Sequence, residues 1–412
     1  MGPGPAPPRL PRSALTRRQF LERAALAGSF SVGHGGLSAA DRGWSGRLAQ
    51  ACADEAPAGT LVRTLPLYGP GAVETPLGQM LGGAGLDARL FTDLSRLDRH
   101  RLITPADDLF VRTAAPAGLR PDPTAWRVGL RGSSDGPGVA VSAAEIAAAA
   151  RPMGAHLIEC AGNSNPQNFG LMSAIEWRGV PLARVLERLP RPAWATGVLV
   201  SGVDHDGQPS LRSQPGASWV LPLATLDAVA PFLATGMNGH ALTPDHGAPV
   251  RLVVPGWYGC AWIKWVDEIR YVGAGEPATS QMREFAGRTH QEAVHELARH
   301  YDPPAIDTAA MPIRVEQWRV AAGTEYRIVG IVWGGAAPVE HLVLRVGSRD
   351  AGTAVRVCPA PATHHTWAPW THHWRLAEPG YYDLSLKAAN PAVRTRRLDL
   401  SFYIRRVRID DV

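Results

Sequence analysis

Residues 237–269, MNGHALTPDHGAPVRLVVPGWYGCAWIKWVDEI, constrain the fold more than any other stretch of the chain. Two apolar runs flank a Pro255-Gly256 break, and each carries one cation: Arg251 opens RLVV, and Lys264 sits inside AWIKWV. Short apolar runs bounded by Gly and Pro read as strands. Residues 251–254 and 261–266 are therefore expected to lie as adjacent strands. A cation inside an apolar run needs hydrogen-bond acceptors or an anion when it is buried. Arg251 and Lys264, with His246 in the entry loop, offer charged donors beside a Gly-rich turn, a set suited to an anion.

Residues 157–166 read LIECAGNSNP. Apolar residues run into Glu159 and Cys160, and Gly162, Asn163 and Pro166 then break the chain. A strand that ends in such a turn delivers its last side chain to the rim of a sheet. There a cysteine thiolate can reach a metal or ligand. A cysteine without that context is more often a small buried hydrophobe.

The rest of the chain reads as sheet-rich, because 43 Gly and 36 Pro among 412 residues interrupt helices often. Residues 54–90 form a lead-in with little periodicity. LFVR at 109–112 follows a turn and points Arg112 toward a site. Trp126, Val128 and Leu130 alternate with polar positions as a half-buried strand. Ser142 and Glu145 make a capping box for an alanine-rich helix. Pro181 opens a second short helix, PLARVLERL. Residues 197–203 are strand-like, 204–216 form a polar loop, and a helical stretch is expected at 226–233. Residues 281–300 form an amphipathic connector. Period-two runs around 326–328, 342–346, 382–386 and 398–404 then predict a β-sandwich. His364, His365, His372 and His373 interleave with Trp367, Trp370 and Trp374 and read as a packed aromatic loop.

Thr16-Arg17-Arg18-Gln19-Phe20-Leu21, a weakly apolar run at 24–40 and small-residue cleavage sites near 38–40 and 49–51 form a twin-arginine (Tat) export pattern, implying a periplasmic protein with no permanent membrane span. The net charge of +5 includes no long Lys/Arg run, which excludes a nucleic-acid arm. The four cysteines, Cys52, Cys160, Cys260 and Cys358, form no CxxC pair and no CxxCH haem attachment. An oxidising compartment permits a Cys260–Cys358 disulfide.

Taken in order, LFVR at 109–112, ECAGN at 159–163, the WRGVPL run at 177–182, DHGAPVRLVVPGWYG at 245–259, IKW at 263–265 and the Trp-bearing β segment resemble the sulfite oxidase family of molybdopterin enzymes. That family includes bacterial sulfite dehydrogenases and sulfane dehydrogenase-like subunits. The resemblance extends from about residue 104 to the C-terminus. It implies an α+β chain, with a mixed α/β molybdopterin-binding domain at 52–280 (core about 90–275) and an all-β Ig-like dimerisation domain within 281–412 (sandwich about 310–412), after a leader at 1–51.

By the same resemblance, Cys160 is the molybdenum ligand and Arg112 belongs to the cofactor and substrate pocket. Asn163, His246, Arg251 and Lys264 hold or support the molybdopterin. The implied cofactor is a molybdenum–molybdopterin without haem. The partners are a small anionic or sulfur-containing substrate, an external carrier such as a c-type cytochrome, and a second copy of the chain. Two departures stand out. Ser164 and Asn165 occupy positions where sulfite-oxidising members carry arginine. The tyrosine that follows the KW segment in animal and plant enzymes has no clear counterpart here, Phe285 and Arg288 being the nearby candidates. Oxygen-atom transfer to sulfite or a related sulfur compound is the leading expectation. Reduction of sulfoxides at the same site and a non-catalytic subunit role are the alternatives.

Overall fold

The computed structural model describes residues 56–410, apart from 70–86, 98, 134–137, 165–168, 205–215, 287–303, 348–349, 359–364, 377, 397 and 401–402. The export pattern, Cys52, Asn165 and Arg288 lie outside the described residues. Among those described, no helix is long and apolar enough to cross a membrane.

Two five-stranded sheets build the first body. One runs His240–Ala241, Phe232–Met237, Met172–Pro181, Arg151–Glu159, with Arg251–Val253 also paired to Phe232–Met237. The other runs Gly138–Ser142, Arg127–Arg131, Val266–Val272, Gly197–Gly202, Ser218–Pro222. Local sequence accounts for much of this. Val128 and Leu130 are fully buried while Arg127 and Arg131 are exposed, the period-two pattern of a half-buried strand. Helix Ala143–Ala149 starts on the Ser142–Glu145 capping box. Helix Leu182–Leu186 starts directly after Pro181 and buries Leu182, Val185 and Leu186.

Two four-stranded sheets build the second body. Gly59–Leu65, Ala309–Val320, Gly323–Trp333 and Ala368–Trp374 form one, and Thr353–Arg356, His341–Val346, Gly380–Ala388 and Arg405–Ile409 the other. Val315, Ile328, Leu344, Trp370, Leu384 and Val407 share the core between these sheets. The first of the sheets is apolar on its outer face too. Met311, Ile313, Ile331 and Trp333 belong to the core of the first body. That second face presses the sandwich against the strand ending at Glu159.

Several expectations change. The architecture is mostly β rather than α+β, because its α-helices are short: Ala143–Ala149, Leu182–Leu186, Leu223–Val229 and Ser280–Phe285 among the described residues. No strand spans 261–266. Gly259–Ala261 is a 3-10 turn, Trp265 has a positive φ of 53°, and the strand begins at Val266. Lys264 thus sits in an irregular lead-in, where its ammonium can reach carbonyls of other segments. The helix expected at 226–233 lies at Leu223–Val229. Ala230 in the left-handed region and Pro231 end it, and Phe232–Met237 is a buried strand. The last strand is Arg405–Ile409 rather than 398–404. The earlier run is a turn in which Tyr403 and Ile404 donate to the Leu400 carbonyl, while Leu398 and Tyr403 pack into the first core. Gly59–Leu65, within the lead-in, pairs with Ala309–Val320. Cys358 is disulfide-bonded but Cys260 is free, so the Cys260–Cys358 bridge does not form. Trp367, Trp370 and Trp374 are buried, and His373 Nδ1 meets Glu325 at 2.6 Å.

Candidate active site

Cys160 follows the strand Arg151–Glu159 and is largely buried. Its turn is held from within: the Asn163 amide donates to the Cys160 carbonyl (2.9 Å), and the Gly162 amide points at Sγ (3.3 Å). The Asn163 side chain accepts from the Leu171 amide (3.1 Å), and its Nδ2 lies 3.5 Å from Glu159 Oε1. Asn163 therefore staples the turn and does not line the cavity above it. Ser164 is exposed.

That cavity, open to solvent at its mouth, brings Cys160, Arg112, His246, Arg251 and Lys264 together. Of the six residues singled out from the sequence, five line one space. Arg251 is buried at the start of Arg251–Val253. Nη1 donates to the His246 carbonyl (3.0 Å), Nη2 approaches the Trp262 carbonyl at 3.4 Å, and the guanidinium lies 5.3 Å from the Trp177 ring centroid. Arg251 Nε is buried without a hydrogen-bond partner. Burial pushes Arg251 toward loss of its proton.

Lys264 uses its ammonium differently. Nζ donates to the carbonyls of Thr113 (2.5 Å), Asp245 (2.9 Å) and Arg112 (3.3 Å), and it lies 4.4 Å from the Trp265 ring centroid. Three acceptors match the three ammonium donors, so Lys264 is a clamp between the 112–113 and 245 segments. Burial, then the charge of Arg251, push it down to about 7 against the opposing effect of Asp245. His246 Nε2 donates to the Phe110 carbonyl (3.2 Å), which leaves Nδ1 to accept from the Thr243 hydroxyl (2.7 Å). Burial first, then Lys264 and Arg251, push His246 down to about 3, so it is a neutral spacer. Arg112 ends the strand Val111–Arg112, and its Nη1 donates to Thr113 Oγ1 (2.9 Å).

Sequence reasoning overlooked Cys260, Asp204 and Glu284, which also line the cavity. No local pattern marks Asp204, whose Oδ1 accepts the Gly216 and Ala217 amides (2.6 and 2.5 Å). Cys260 was legible as a cysteine inside WYGCAW, but its place in one cavity with Cys160 was not. Burial raises its thiol well above the usual range.

Residues 115–279 match the family described as oxidoreductase molybdopterin binding domain. The chain is similar to sulfite oxidase of Gallus gallus, 27% identical over 66% of this chain and 63% of that protein. It is also similar to mitochondrial sulfite oxidase of Homo sapiens, 27% identical over 70% of this chain and 54% of that protein. To nitrate reductase [NADH] of Petunia hybrida it is 29% identical over 43% of this chain and 21% of that one. The chain thus spans less than two thirds of the length of these relatives. In fold it is similar to the sulfane dehydrogenase SoxCD from Paracoccus pantotrophus, with a TM-score of 0.58 and 16% identity over 88% of this chain and 95% of that one. Residues 115–279 thus carry the match to a molybdopterin-binding domain of oxidoreductases, and the chain is similar to sulfite oxidases over about two thirds of its own length.

The residues present fit that cofactor. Arg251 keeps a buried, unpartnered Nε, and no carboxylate pairs with it among the described residues. Arg112 and Lys264 share the cavity with Asp204, Asp245 and Glu284, so it is the unmatched Arg251 Nε that offers a seat to an anionic oxygen such as that of a pterin phosphate. Cys160 brings a soft thiol ligand to the same cavity, suited to a metal of molybdenum's class.

Proposed function

We propose that this protein is an exported molybdenum–pterin oxidoreductase acting on sulfite or a related small sulfur compound. The observation that carries this reading is the pairing of the Cys160 thiol with the unsatisfied Arg251 guanidinium in one cavity. When bound, the molybdenum centre supplies oxygen-atom transfer and two-electron redox chemistry. Cys160 ligates the metal, Arg251 and Arg112 bind anionic oxygens, and His246 and Lys264 hold the walls in place.

Electrons pass to an external carrier such as a c-type cytochrome. The twin-arginine pattern at 16–21 supports export to the periplasm. The second body, read as an Ig-like sandwich, serves as the dimerisation domain of a homodimer. Ser164 and Asn165 stand where sulfite-oxidising members place arginines, the second of them at the substrate oxyanion site, and this favours a second reading in which a neutral sulfoxide is reduced. Without that arginine an oxyanion loses a charge-assisted contact of about 1.5–3 kcal/mol.

The test is protein purified after export from its natural host. The expected result is about one molybdenum per chain and sulfite-dependent reduction of cytochrome c. Molybdenum well below that level would overturn both readings. Sulfoxide reduction from a reduced dye, without sulfite oxidation, would select the second.

A further inference from the structure

Glu159, the residue immediately before Cys160, is wholly buried, and its carboxylate is held almost entirely by the second body. Arg396 donates Nη1 to Oε1 (2.8 Å) and Nη2 to Oε2 (2.7 Å), the bidentate geometry that fixes orientation as well as distance. The indole of Trp333 donates to Oε2 at 2.8 Å.

Arg396 is itself immobilised. Nε donates to the Asp307 carbonyl (3.2 Å), Nη1 also donates to the Tyr403 hydroxyl (2.8 Å), and the guanidinium lies 5.0 Å from the Tyr258 ring centroid and 5.7 Å from that of Trp333. Glu159 and Arg396 are 237 positions apart. No other ion pair joins a residue adjacent to the candidate ligand to another segment among the described residues.

A buried ion pair is weak evidence for stability, since its desolvation offsets much of its attraction. Its better-attested use is to fix one arrangement, and here the arrangement fixed is the strand end that carries Cys160. We propose that Arg396 of the second body is a positioning residue for the metal ligand: through the bidentate Glu159 pair it sets where Cys160 Sγ stands and cancels the carboxylate charge next to it. The proposal rests on the molybdenum reading for its catalytic consequence, but the geometry it asserts stands without the metal. It also makes the seating of the second body a condition for a working site in the first.

The test compares the full-length parent with Arg396→Lys, Glu159→Gln and Glu159→Gln/Arg396→Met. The double variant removes both charges together and so avoids an orphaned buried carboxylate. In molybdenum-loaded protein, Arg396→Lys is expected to load normally, to alter the Mo(V) electron paramagnetic resonance signature, and to lower kcat about tenfold with KM within twofold, a small displacement of the ligand being enough for such a loss. Loaded Arg396→Lys and double variants with the parental signature and parental kcat would overturn the proposal.

Metal-free protein supplies the independent readout. Alkylation of Cys160 by a maleimide, followed by peptide mass spectrometry, is expected to be several-fold faster in Arg396→Lys than in the parent, while alkylation of Cys260 is unchanged. Equal Cys160 rates would overturn the positioning role even if the parent never binds molybdenum. A parent without molybdenum but with the expected alkylation difference would sink the functional reading and keep this one.

Discussion

Lys264 Nζ donates to the carbonyl of Thr113, a non-glycine residue held at a φ of 73°. That bond, with those to Arg112 and Asp245, pins the segment bearing Arg112 to the segment bearing His246. Lys264→Met should leave three inward carbonyls unmatched and cost about 2–4 kcal/mol, since lost hydrogen bonds to a charged donor are worth about 1.5–3 kcal/mol each and do not add fully. Urea unfolding would show it as a lower midpoint with an unchanged slope. Lys264→Arg should not restore stability, because a planar fork cannot aim at three carbonyls around one nitrogen.

The same lysine sets a pH dependence. In the fold it loses its proton near 7, against 10.5 for an unperturbed lysine. Between those values the unfolded chain binds more protons than the folded one, so the stability of metal-free protein should rise with pH across that window. Below 7 the cost of holding the charge is present in full. Inorganic pyrophosphate, a probe for the pterin phosphate, should raise Tm more at pH 6 than at pH 9. Equal shifts at the two pH values would argue against an anion seat beside Lys264.

Cys160→Ser should abolish turnover while leaving the fold intact, because the hydroxyl replaces a soft thiolate ligand at nearly constant volume. Cys260→Ser, lining the same cavity, should keep its molybdenum. Metal content per chain and circular dichroism separate the two effects. A fully active Cys160→Ser protein would remove it as the ligand.

Glu316 lies between Arg314 (2.8 Å) and Arg327 (2.7 Å) and accepts from the Trp318 indole (3.0 Å). Burial pushes its carboxyl up, but the hydrogen bond and charge of Arg314 and the charge of Arg327 prevail and hold it below 4.5. The stabilisation is therefore complete above 4.5 and disappears as pH falls through the lower folded value. Glu316→Gln should cost about 3 kcal/mol at pH 7, as expected when one partner of a buried pair is removed. The gap from the parent should narrow at pH 3.5 in denaturant titrations.

Gly330 stands directly across from Trp370 in the ladder, and a β-carbon there would meet the indole at 2.1 Å. Gly330→Ala should cost several kcal/mol, beyond the usual ~1–3 kcal/mol of overpacking, because the ring it meets is fully buried. The expected readout is a drop in Tm with the circular dichroism spectrum preserved at low temperature.

Local pattern determined a good deal. The alternation at 126–131, the Ser142–Glu145 cap and the Gly/Asn break after Cys160 each follow from forces acting within a few residues. Cations lodged in apolar runs identified Arg251 and Lys264, because an apolar neighbourhood makes such charges costly unless something receives them. The sequence could not say what receives them. Lys264 found backbone carbonyls, and Arg251 kept one donor unmatched.

Only the tertiary structure decided that Gly59–Leu65 crosses to the second body, that Phe232–Met237 is a strand, and that Arg396 grips Glu159. Period and propensity tell which side of an element is apolar, but not which distant surface covers it. That choice is made by packing and hydrogen-bond satisfaction across the whole chain, where a contact over 237 positions weighs as much as one over four.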